Sequence, residues 1–337
     1  MKRLFIGFGA LLIVGCAAST SSREDIIVRK IWDQAPHNAF TDIIRFNDAF
    51  YCIFREGKSH VSGPTGIARL LRSKDGETWE NLDSFRLDGM DLRDPKISIT
   101  PRGRLMILMD GEGYQDGKVA TRKPYVSFSD SAGEHFSAPV LCAIDSSVAV
   151  ASDWVWRITW HDSTGYGIDY QPDGIWLLST RDGQSFDGVS KLPVDGYPNE
   201  STIRFDKSGK IYVLIRREKG DKMGVIATSD APYKNWTLYE MDKRLGGPNF
   251  LFLNDSAFVI GTRAYPAPGQ SGGAKTVLYV TDLHGKIHKT VPLPSGGDNS
   301  YPGLLRYEDT LWVSYYSSHE GKTAIYLAKV PLSDIQQ

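Results

Sequence analysis

Ser73-Lys74-Asp75-Gly76-Glu77-Thr78-Trp79 and Thr180-Arg181-Asp182-Gly183-Gln184-Ser185-Phe186 share one pattern: hydroxyl, any residue, Asp, Gly, any residue, hydroxyl, aromatic. Each reads as a hairpin turn in which the aspartate accepts turn amides, the glycine takes a positive φ and the aromatic packs beneath. Residues 127–136, Ser-Phe-Ser-Asp-Ser-Ala-Gly-Glu-His-Phe, form a looser copy. Thr228-Ser229-Asp230 with Trp236 is a fourth, and Thr281-Asp282 with Gly285 a degraded fifth. The aspartates at 75, 130, 182, 230 and 282 fall 55, 52, 48 and 52 residues apart. Self-similarity at that period marks a repeat architecture.

Apolar runs of strand length flank the turns: residues 67–71, 125–128 and 175–178. The 33 glycines, 17 prolines and 11% aromatic content suit many short strands, and no long amphipathic helical stretch follows residue 25. Five turns plus a final segment over residues 311–330 give six units. The last is expected to borrow a strand from residues 26–32, closing the ring and protecting its edges. The reading is an all-β, six-bladed β-propeller forming one domain over residues 26–337.

These turns resemble the Asp boxes of the sialidase superfamily, and the resemblance covers nearly all of that domain. Such boxes lie on the outer rim, so chemistry must be sought elsewhere. Pro198-Asn199-Glu200 is followed, across a hairpin, by Arg216-Arg217-Glu218. In sialidases a glutamate is followed at this same offset by a substrate-binding arginine, which assigns those roles to Glu200 and Arg216. Gly261-Thr262-Arg263 stands where a sialidase supplies another arginine. The segment Ser295-Gly296-Gly297-Asp298-Asn299-Ser300-Tyr301-Pro302 is similar to the one carrying the sialidase nucleophile, making Tyr301 its counterpart. A phenol with pKa about 10 needs a carboxylate to take its proton, and Glu200 is that partner.

The early blades depart from the family. Asn38-Ala39-Phe40-Thr41-Asp42-Ile43 occupies the place of the usual Arg-Ile-Pro strand and has no arginine. Arg55, on the next strand, is the expected replacement. His60 falls where the acid/base aspartate is expected, and its near-neutral pKa suits proton donation. Arg93-Asp94-Pro95 offers Asp94 either as an alternative acid or as an ion-pair partner of Arg55. Trp160 and His161, in an aromatic entry to the third blade with Trp154, Trp156, Tyr166 and Tyr170, are expected to form a sugar-stacking subsite. The polar strand end around His319 and Glu320 is read as pocket lining. Guanidiniums gathered from several blades require anionic partners, which Glu56, Glu200, Glu218 and Asp298 supply in part and an acidic sugar completes.

The expected activity is exo-acting glycoside hydrolysis of a terminal, acidic sugar. A non-catalytic carbohydrate-binding propeller and a polysaccharide lyase are the alternatives. A net charge of −1 speaks against nucleic acid as a partner. No Gly-rich phosphate loop or His-Glu-x-x-His motif occurs, so no cofactor or metal is expected. Cys52 and Cys142 sit in apolar contexts and read either as buried thiols or as a disulfide.

Residues 1–16 read as a targeting segment: Lys2 and Arg3, an apolar run, then Ile13-Val14-Gly15-Cys16. That ending resembles the bacterial lipobox, which implies acylation of Cys16 and a tether over residues 17–25. Ala17 lacks the acidic character of an inner-membrane retention signal, so the expected location is the bacterial cell envelope, anchored by lipid to the outer membrane.

Overall fold

The structure is a computed structural model that describes residues 25–61, 63, 65–266 and 271–335. The targeting segment, Cys16 and all but the last residue of the tether lie outside the described residues. Six antiparallel sheets of four main strands succeed one another along the chain. Blade 1 comprises His37–Phe46, Ala49–Gly57, Ile67–Ser73 and Glu80–Phe85, and blade 2 starts at Met90–Ile99. The innermost strands of blades 3 to 6 are Trp154–His161, Pro198–Phe205, Asn249–Asn254 and Asn299–Tyr307. Blade 6 takes its outermost strand, Ile27–Trp32, from the other end of the chain, paired antiparallel to Ala324–Pro331. Blade 6 thus begins at Asn299, twelve residues ahead of the segment expected for it. A short parallel piece, Ala143–Ile144, extends blade 3.

Apolar side chains fill the wedges between neighbouring blades. Ile168, Leu177, Ile203, Val213, Ile215 and Val225 form the joint between blades 3 and 4. Alternation along each strand sends one face into each wedge, so every blade is buried on both sides. Cys52 and Cys142 are free thiols in such surroundings. Burial pushes both well above the ordinary thiol range, and they are inert packing groups.

The repeated turns have the expected internal bonding. Asp75 Oδ1 accepts the amides of Glu77 and Thr78, both at 2.8 Å, and Asp182 Oδ1 accepts those of Gln184 and Ser185 at 2.8 and 2.7 Å. These bonds hold Asp75 down to about 2. Its contribution to stability is therefore complete above the ordinary carboxylate pKa and disappears as pH falls toward 2. The fourth turn differs: backbone closure from the Tyr233 amide to the Asp230 carbonyl, at 2.8 Å, replaces side-chain capping around a cis Ala231–Pro232 bond.

Gly76 shows how the turns lock adjacent blades. Its φ is +68°, and a Cβ there would lie 2.2 Å from the ring of Trp312, which belongs to blade 6. Gly89 has φ +75° but open space around it. Gly89→Ala should cost about 1 kcal/mol through backbone strain, and Gly76→Ala about 3 kcal/mol because overlap adds to strain. Urea denaturation of both variants checks this, and equal losses would show that the Trp312 contact is not what fixes Gly76.

Candidate active site

The innermost strands lose register with their neighbours near their N-terminal ends. The shift lies between Ala39 and Asp42 in blade 1, Arg93 and Lys96 in blade 2, and Val155 and Ile158 in blade 3. It recurs between Pro198 and Ser201 in blade 4 and between Ser300 and Gly303 in blade 6. In blade 5, Gly246 and Gly247 precede the strand at the same level, with the Arg263 amide bonded to the Gly246 carbonyl at 3.0 Å. Bulges re-aim side chains. Here they bring Phe40, Asp94, Trp156, Glu200 and Tyr301 to one end of the central axis, and Phe40, Asp94 and Tyr301 take positive φ values of 63°, 45° and 52° to do so.

Tyr301 and Glu200 meet as the sequence implied. The phenol donates to Glu200 Oε1 at 2.6 Å, and Arg216 lies 2.5 Å from Oε2 and 3.2 Å from the phenol oxygen. The Gly247 amide donates to Oε2 at 2.9 Å. A Cβ on Gly247 would come 2.4 Å from the Tyr301 ring, so only glycine lets the backbone approach this closely. Burial raises the pKa of Glu200, but the charge of Arg216 and the converging donors outweigh it and hold the carboxyl below its usual range. Tyr301 moves the other way, well above 10, through burial and the adjacent Glu200 charge. At rest the proton therefore stays on the phenol. Arg216 is fixed from behind by Glu218 at 2.5 Å, which in turn binds Arg244 at 2.7 Å.

Asp298 forms a second centre. His37 Nε2 and His60 Nδ1 lie 2.9 and 2.8 Å from its Oδ2, while Tyr316 donates to Oδ1 at 2.8 Å. Arg263 stands 3.5 Å from Oδ1, and its guanidinium donates to the Asn299 carbonyl and, at 3.1 Å, to Tyr316. Burial opposes ionisation of Asp298, yet the bonds to His37 and His60 keep it well below the carboxylate range. His37 Nδ1 is buried without a partner, so Nε2 carries the proton that binds Asp298. Phe40 packs edge-on between the centres, 5.1 Å from the His60 ring and 5.0 Å from the Tyr301 ring.

Asp94, 5% exposed, has burial comparable to Glu200 and Tyr301, both 8% exposed. Burial raises its pKa against the pull of Lys96 and Arg93, and Glu200 and His60 also act on its charge. Its Oδ1 has no hydrogen-bond partner. Arg93, 3.9 Å from the other oxygen, holds its guanidinium 5.3 Å over the Phe40 ring. Beneath this level Lys96 faces Trp156 at 4.5 Å, and burial lowers it to about 8.

Five sequence-based assignments do not join this assembly. Arg55 is fully buried and held by two 2.7 Å bonds to Asp91, so it neither replaces the missing arginine nor pairs with Asp94. The guanidinium that reaches Phe40 is that of Arg93. Trp160 and His161 sit at the C-terminal end of their strand, six and seven residues beyond Trp154, at the opposite end of the propeller axis. His161 stacks on Phe205 at 4.4 Å, and the blade 3 aromatics on the Tyr301 side are instead Trp156 and, behind it, Tyr170. His319 packs on Tyr326 at 4.8 Å and accompanies Glu320, which is bound to Lys30 on the rim. His37 and Lys96 were missed. Neither falls in a motif, and only the bulged register reveals which way their strands turn.

No family model and no curated protein sequence matches the chain. Solved structures do. A Dyadobacter fermentans protein of unknown function superposes with TM-score 0.75 at 18% identity, over 90% of this chain and 98% of that one. An α-L-arabinofuranosidase from Fusarium graminearum gives 0.66 at 14% identity, over 91% and 98%. A Trypanosoma rangeli sialidase in complex with sialic acid gives 0.65 at 9% identity, over 88% of this chain and 54% of the sialidase, so the chain spans about half of that enzyme. The chain thus has the sialidase-type six-bladed propeller fold, shared with glycoside hydrolases of more than one specificity.

Proposed function

We propose that the protein is an exo-acting glycoside hydrolase that releases a terminal, acidic sugar, with Tyr301 as nucleophile. The observation that carries this is the 2.6 Å bond between the Tyr301 hydroxyl and a Glu200 held ionised by Arg216. The Tyr301 oxygen attacks the anomeric carbon, its proton passes to Glu200 as the new C–O bond forms, and the glycosidic C–O bond breaks. The leaving oxygen needs a proton. Asp94 is its donor, because burial shifts its pKa upward where that of Glu200 is shifted downward, and such a divergence separates acid from base. Asp94 then takes a proton from water as the water oxygen attacks the anomeric carbon, the bond between Tyr301 and the sugar breaks, and Glu200 returns its proton to the Tyr301 oxygen.

His60, fixed by Asp298, is left to orient a sugar hydroxyl. Arg216, Arg263 and Arg93 offer the cationic wall for the acidic group, Arg93 approaching across Phe40 in place of a blade 1 arginine. Trp156 gives the sugar ring an apolar neighbour beside Tyr301. The protein acts in the cell envelope, tethered through an acylated Cys16.

Turnover of nitrophenyl glycosides of sialic, uronic and neutral sugars tests this reading. Tyr301→Phe should lower kcat/KM on the order of a thousandfold or more. Binding of sugars that persists with no turnover by the unaltered protein would instead identify a carbohydrate-binding propeller, and an unsaturated uronate product a lyase.

The pH profile is the sharper check on Asp94. Activity should rise as Glu200 ionises below the ordinary carboxylate range and fall as Asp94 loses its proton above it. Asp94→Asn should flatten the high-pH limb and slow poor leaving groups about 10²–10⁴-fold while sparing activated aryl glycosides. An unchanged high-pH limb in Asp94→Asn, with the limb lost in His60→Gln, would move the acid to His60. Radiolabelled palmitate should enter the unaltered chain in bacteria and be absent from Cys16→Ser.

A further inference from the structure

At the end of the axis opposite Tyr301, a cavity of about 300 Å³ opens between blades 2 and 3. Arg102 and Arg104 enter it from the turn after Met90–Ile99, and Arg181 from the turn after Gly174–Thr180. Trp160 forms its wall, with the indole N–H tied to Ser98 at 3.3 Å. Most arginines of this protein face a carboxylate within ion-pair distance. None of these three does among the described residues. Arg181 donates to the Ser163 hydroxyl at 2.8 Å, Arg104 lies 4.2 Å over the Phe128 ring, and its Nε is shielded from solvent without an acceptor.

The one acid in the lining, Asp182, is already committed to the amides of its own turn. Three positive charges thus converge on one hollow whose internal neutralisation is incomplete. Repulsion among them is unfavourable at rest and is relieved by an anion. Guanidinium forks fit the paired oxygens of sulfate or carboxylate, and an indole face accepts the C–H side of a sugar ring.

We propose that this cavity is a second glycan site, which binds a saccharide bearing a sulfate or carboxylate group and carries out no chemistry. The anionic group lies against Arg104 and Arg181, with Arg102 at the mouth and the sugar ring against Trp160. Because the site faces away from Tyr301, it holds the protein on an anionic polymer while the funnel stays free for chain ends.

Calorimetric titration of the whole chain with a chondroitin sulfate hexasaccharide, and with its desulfated counterpart, tests the site. The sulfated probe should bind more tightly, and added salt should weaken it. Arg181→Ala and Arg104→Ala should each weaken binding about tenfold or more, while Tyr301→Phe should leave it unchanged. Arg181 and Arg102 are exposed, so their variants test the site even if Arg104→Ala misfolds. Loss of binding in Tyr301→Phe but not in Arg181→Ala would assign the saccharide to the funnel and overturn the proposal. So would tight binding of vesicles bearing phosphate headgroups with no binding of the hexasaccharide, or no binding of either.

Discussion

The site depends on a backbone irregularity that recurs in five of the six innermost strands. A regular strand alternates its side chains between two wedges and leaves none directed along the axis. An extra residue near the N-terminal end of these five strands breaks that alternation. It costs ladder hydrogen bonds and, at Phe40, Asp94 and Tyr301, a left-handed backbone that L-residues disfavour. The surrounding blades hold these residues in place, as local strain at functional positions requires.

What assembles there is an uneven sharing of donors between carboxylates. Glu200 receives a phenol, a guanidinium and a backbone amide, and Asp298 receives two imidazoles and a phenol. Asp94 receives far less, though it is buried as deeply as Glu200. Burial alone raises all three, so the donor count decides which way each carboxyl shifts. The partners come from different blades, which makes the charge pattern a property of the closed ring. Glu218 and Asn299 extend the same arrangement by fixing Arg216 and Arg263 from behind.

The repeat was legible because its turns use local chemistry. Asp75 and Asp182 bond to amides two and three residues away, so the spacing in the chain is the spacing in space. Glu200 and Arg216 were legible for a related reason, since one hairpin carries both. Tyr301, Arg263 and Asp298 came from the family resemblance. Assignments failed where position along a strand had to be converted into an end of the axis. Trp160 and His161 lie on the same strand as Trp156, but the strand carries them to the opposite end. Arg55 failed differently: a strand-end arginine looks the same in sequence whether it faces a ligand or a buried Asp91. His37 carries no signal of its own, because its role exists only once Asp298 arrives from blade 6.

The strand Ile27–Trp32 completes blade 6 by pairing with residues about 300 positions away. Such a contact has a large entropic cost of closure, and the other blades must be largely formed before it can be made. Until then Ala324–Pro331 is an open edge able to pair with another chain. During synthesis the first blades can condense as they emerge, but Tyr301 and Asp298 arrive only with the last. The ring therefore completes the cluster around Tyr301 and loses its exposed edge in the same late event, which leaves little opportunity for a complete site on an unclosed ring.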